Sequence, residues 1–79
     1  MGLIAVADGM GGHRAGEVAS ALALSRLAEE MESLDDGCPR RTLFGAAVEN
    51  VNRAVWDQAH DDPRLQGMST TLTGAILCR

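Results

Sequence analysis

The apolar spacing changes character at one place, and that change constrains the fold more than any other feature of the chain. Leu3-Ile4-Ala5-Val6-Ala7 is a short continuous apolar run with β-branched residues, the pattern of a strand covered on both faces. Asp8 is the first charge after it, and Gly9, Gly11 and Gly12 occupy three of the next four positions. Beyond them Val18, Leu22, Leu24, Leu27, Ala28, Met31 and Leu34 recur at three- and four-residue intervals, as on one side of a helix. An Asp-Gly pair often turns a hairpin, but a returning strand would alternate with period two. The order is therefore strand, glycine loop, helix, with Asp8 expected at the strand's carboxyl end, where ligands gather in layered α/β structures.

The same spacing argument organises the rest. The first helix is expected over Ala15–Leu34, with Glu17 in its first turn, where a negative charge suits the helix dipole. Glu29, Glu30 and Glu32 read as a solvated face. Asp35-Asp36-Gly37-Cys38-Pro39 is a connection short enough to set a second helix antiparallel to the first. That helix is expected over Arg40–His60, with Phe44, Ala47, Val48, Val51, Ala54, Val55 and Ala59 on one side. Trp56 reads as a packing residue at the hairpin's edge, and Asn50 and Asn52 as surface groups. Asp61-Asp62-Pro63 stops the helix, because proline disfavours helical geometry in the residue before it. Thr70–Leu77 has strand propensity. The fold class is α/β (α+β), ordered strand, helix, helix, strand.

Composition excludes several functions. A net charge of −4 is a poor match for a polyanion, and Phe44 and Trp56 are the only aromatic residues, so a nucleic-acid module is not expected. No run approaches the ~20 apolar residues of a membrane span, and Met1-Gly2-Leu3 does not open a secretory signal. The expected location is the cytoplasm. Cys38 and Cys78 lack metal-type spacing and read as free thiols, Cys38 on a loop and Cys78 in an apolar run. At 79 residues the chain is near the lower limit for a self-sufficient core.

The glycine loop needs a chemical reason, since each glycine loses more chain entropy on ordering than any other residue. The dinucleotide fingerprint fails at Arg14, which stands where its third glycine belongs. Gly11 and Gly16 have the spacing of a phosphate-binding loop, but Glu17-Val18 replaces its Lys-Ser/Thr. A hard cation such as Mg²⁺ or Mn²⁺ suits the stretch better: Asp8 offers a carboxylate oxygen and Gly9 an unshielded carbonyl.

Asp8-Gly9-Met10-Gly11-Gly12-His13, with Gly16-Glu17 and Ala19-Ser20, followed downstream by Gly67-Met68-Ser69-Thr70-Thr71-Leu72-Thr73, resembles the metal-dependent type 2C protein phosphatases, specifically their bacterial serine/threonine branch. The resemblance covers essentially the whole chain. It implies that residues 1–79 are a fragment of a four-layer α-β-β-α sandwich, lacking the domain's N-terminal and C-terminal portions. It further implies hydrolysis of phosphoserine or phosphothreonine in a phosphorylated protein by a water that two Mg²⁺ or Mn²⁺ ions activate.

Carried over by motif, Asp8 is the carboxylate shared by both ions and Gly9 supplies a carbonyl to one. His13 could act as an acid near neutral pH, although a structural hydrogen bond is the simpler use. Met10 stands where some animal members have a proton-donating histidine, so no leaving-group acid is assigned. Ser69, Thr70 and Thr71 read as strand residues that hydrogen-bond locally. One carboxylate leaves the cations under-coordinated, so the isolated chain is expected to be inactive. The competing reading is a non-catalytic, phosphatase-like domain that binds a partner or senses a ligand.

Overall fold

A computed structural model describes residues 2–12, 14–33 and 41–77. Strand β1 spans Gly2–Met10, helix α1 Ala15–Glu32, helix α2 Arg41–Asp61 and strand β2 Ser69–Leu77, with a 3₁₀ turn at Pro63–Leu65 before β2. The two strands pair antiparallel, from Gly2 opposite Leu77 to Met10 opposite Ser69. The helices lie on one face of this sheet: α1 packs against both strands, and α2 packs along α1. This is the expected α+β order.

The end of β1 differs from the sequence reading. β1 continues through Asp8, Gly9 and Met10, because Ser69, Thr70 and Thr71 pair with those residues. Local apolarity ends at Ala7, but the ladder supplies partners regardless of side-chain character. Arg40, Leu34, Cys38, Cys78 and His13 lie outside the described residues, and so do the readings that fell on them.

The buried stripe of α1 also differs. Its buried residues are Ala15, Ala19, Ala23, Leu27 and Met31, whereas Val18 and Leu24 are exposed. The i, i+4 row of alanines lets the helix backbone approach the sheet closely, and the larger residues flank that row. On α2 the buried row is Ala47, Val51, Val55 and Ala59, four of the residues the spacing selects. Met68 joins them just before β2.

Period-two alternation turns Leu3, Ala5 and Ala7 toward the helices and leaves Ile4, Val6 and Met10 on the other face. Among the described residues that second face is open, with Ile4, Val6, Met10 and Leu77 between 57% and 65% exposed. The continuous apolar run thus belongs to a strand with one covered face here.

Polar groups tie the elements together. Asp62 caps the 3₁₀ turn by accepting from the Arg64 backbone N–H at 2.9 Å, and it also receives Arg64 Nε at 3.1 Å and Nη2 at 2.9 Å. This is the polar helix stop read from Asp61-Asp62-Pro63. Glu30 does more than face solvent. It accepts from Asn50 Nδ2 on α2 at 2.5 Å and lies 3.5 Å from Arg26 Nε, so it links the helices. Trp56 stacks on His60 with ring centroids 3.6 Å apart, yet more than half of its surface is exposed. No helix among the described residues is long and apolar enough to cross a membrane.

Candidate active-site segment around Asp8

Asp8 lies on the open face of the sheet, on the same side as Ile4, Val6 and Met10. The face is graded along its length. Toward the far end Ile4 pairs with Ala75 and Gly2 with Leu77, while toward the loop Val6 pairs with Thr73, Asp8 with Thr71 and Met10 with Ser69. The carboxylate therefore stands among hydroxyl-bearing neighbours at the loop-proximal end of an otherwise apolar surface.

The Asp8 backbone is held by Thr71. The Asp8 N–H donates to Thr71 Oγ1 at 3.2 Å, and the same hydroxyl lies 3.4 Å from the Asp8 carbonyl oxygen, to which it donates. Thr70 Oγ1 donates to the Thr71 carbonyl oxygen at 2.8 Å. Both threonines thus make the local strand contacts read from their sequence. The Asp8 carboxylate has no ion pair or hydrogen-bond partner among the described residues.

Gly9 faces the helices and meets the first turn of α1. A Cβ built on Gly9 would overlap the Gly16 carbonyl oxygen, and a Cβ on Gly16 would lie 2.9 Å from the Gly9 carbonyl oxygen. Gly11 has φ +153°, where a Cβ would also crowd that of Ala15 at 2.8 Å. The chain turns back through Gly12, whose carbonyl oxygen accepts from the Ala15 N–H at 3.0 Å. Arg14 occupies the N-cap position of α1 without a side-chain capping bond. The loop is thus shaped by glycine backbone and helix contact.

The exposed Asp8 carboxylate is the kind of oxygen donor that a hard divalent cation takes. Among the described residues, however, no three His, Cys, Asp or Glu side chains come together as a metal cluster. An open cleft of about 860 Å³ lies beyond the loop, between Gly12, Arg14, Ala15 and Val18 on one side and the Asp62–Gln66 turn on the other. Asp8 does not line it.

The geometry that sequence reasoning missed is the Gly9–Gly16 contact. Its signal was present in the motif as two glycines seven positions apart, but only strand and helix placement makes them neighbours.

No protein-family model matches the chain. Known relatives do. The chain is 48% identical over 77 residues to the serine/threonine protein phosphatase PstP of Mycobacterium tuberculosis H37Rv, an alignment covering 94% of this chain and 14% of that protein. It is 38% identical over 80 residues to the serine/threonine phosphatase stp of Listeria monocytogenes EGD-e, covering 98% of this chain and 32% of that protein. The crystal structure of the M. tuberculosis serine/threonine phosphatase PstP/Ppp superposes with a TM-score of 0.81 at 43% identity, over 96% of this chain and 32% of that one. The chain thus matches one segment of these phosphatases over nearly its whole length, and spans a third or less of theirs.

Proposed function

We propose that this chain, similar from end to end to a segment of bacterial serine/threonine phosphatases, serves as part of a type 2C phosphatase domain. In that reading residues 1–79 are a partial domain located in the cytoplasm, and its substrates are phosphorylated serine or threonine side chains of proteins rather than nucleic acids. The observation that carries the proposal is that nearly all of this chain matches a segment of PstP in sequence and fold. Further segments would cover the open face of the sheet and complete the four-layer sandwich.

Within that domain Asp8 and Gly9 would hold Mg²⁺ or Mn²⁺, Asp8 through its carboxylate and Gly9 through its carbonyl oxygen. The bound cations would supply Lewis-acid activation of water and charge neutralisation at the phosphate. The chain's own contribution is placement. Thr71 fixes the Asp8 backbone, and strand alternation projects the carboxylate from the open face.

The test is Asp8→Asn in the full-length protein, which removes one negative charge at constant size. Mn²⁺ affinity and phosphopeptide turnover should fall together, and excess Mn²⁺ should restore turnover only in part. Near-wild-type turnover at ordinary Mn²⁺ concentrations would overturn the assignment, because asparagine keeps the size of aspartate and the backbone bonds to Thr71 while removing only the charge. Wild-type protein that folds but neither binds Mn²⁺ nor hydrolyses phosphopeptides would favour the binding or sensing role.

A further inference from the structure

The end of β1 and the first turn of α1 meet backbone to backbone. A Cβ on Gly16 would lie 2.9 Å from the Gly9 carbonyl oxygen, 3.0 Å from its carbon and 3.1 Å from the Met10 nitrogen. Real Cβ atoms essentially never come within 3.0 Å of such an atom, and all three neighbours here are backbone, so a side chain at Gly16 pushes strand and helix apart. Gly9 and Gly11 on the other side of the contact are crowded as well, whereas Gly12 in the loop and Gly45 on α2 have nothing within 4 Å of a built Cβ.

From this contact we infer that Gly16 is a positioning residue for Asp8, acting through Gly9. The inference rests on the reading of Asp8 as a metal ligand. The peptide joining Asp8 to Gly9 is planar and stiff, so displacement of Gly9 is passed directly to the Asp8 carbonyl and Cα. Thr71 holds Asp8 from the neighbouring strand, and Gly16 sets how far the strand end stands from the helix. A functional side chain needs to be held within about 0.5 Å of its productive place. The contact also lies on the helix side of the sheet, leaving the face that carries the carboxylate open. Gly16 therefore touches the Gly9 carbonyl directly and sets the position of the Asp8 carboxylate from the opposite side of the sheet.

The experiment compares wild type, Gly16→Ala, Gly45→Ala and Asp8→Asn in the full-length protein, with Mn²⁺ binding measured by calorimetry and folding by circular dichroism in chelator. Folded Gly16→Ala should bind Mn²⁺ about 10–100-fold more weakly, as for other groups that orient a ligand. Gly45→Ala should match wild type. A folded Gly16→Ala that melts earlier but keeps wild-type Mn²⁺ affinity, beside an Asp8→Asn that loses it, overturns the positioning role alone. Unchanged affinity in Asp8→Asn overturns the metal reading and this inference together. If Gly16→Ala does not fold, Mg²⁺ titration of wild type by amide NMR decides. The Gly9 and Gly16 resonances should then move on one binding curve while Gly45 stays still, and an unmoved Gly16 overturns the inference.

Discussion

Thr71 brackets the backbone of Asp8 from across the sheet, accepting from its N–H at 3.2 Å and donating to its carbonyl oxygen at 3.4 Å. One hydroxyl serves as acceptor and donor to the same residue, and valine keeps the β-branched shape while removing both bonds. Thr71→Val in the full-length protein should lower stability by about 1 kcal/mol in urea unfolding. It should also weaken Mn²⁺ binding, and Thr71→Ser should recover both properties. Unchanged Mn²⁺ affinity in the valine variant would leave Thr71 a packing residue only.

The open face of the sheet leads to a second expectation. Ile4, Val6 and Met10 on β1, with Leu77 on β2, expose an apolar surface of the kind that drives association. The 79-residue chain on its own should be marginally stable or self-associate. Replacing Ile4 and Val6 with threonine should shift its sedimentation toward monomer while preserving the helical circular dichroism signal. A monomer with a cooperative melt above about 60 °C, at the upper end for ordinary mesophile domains, would contradict this.

The turn before β2 carries a pH dependence. Hydrogen bonds from the Arg64 side chain, then from its backbone N–H, hold the Asp62 carboxyl below its usual value. A carboxylate whose pKa is lower folded than unfolded contributes stability above its unfolded pKa. That contribution is lost as pH falls through the lowered folded pKa. The loss therefore belongs to the acid limb, below the ordinary carboxylate range. Side-chain carboxyl NMR should place the Asp62 titration low, and Arg64→Met should move it upward. An Asp62 midpoint that does not respond to Arg64→Met would show that the pair is not formed in solution.

The elements could be read locally because their signals are local. Apolar residues at three- and four-residue spacing mark α2, and the rows at Ala47, Val51, Val55 and Ala59 are buried as that spacing requires. Asp61-Asp62-Pro63 announces its own turn, since the proline restriction and the Asp62 cap act within a few residues. The motif from Asp8 to Ser20 likewise resembles that of the type 2C serine/threonine phosphatases through residue types and spacing alone.

Tertiary structure decided what depends on distant partners. Asp8, Gly9 and Met10 extend β1 because Thr71, Thr70 and Ser69, some sixty positions away, pair with them. The alanine row of α1 is buried in preference to Val18 and Leu24 because close helix–sheet approach rewards small side chains, a property of the contact rather than of residue hydropathy. Glu30 looks like a solvated acid until Asn50 is brought beside it. Composition and periodicity thus determined which segments are strands and helices, because backbone conformation responds to near neighbours. Which face is open, and how closely Gly16 approaches Gly9, were decided only by packing, because the chain pairs and docks residues without regard to their separation in sequence.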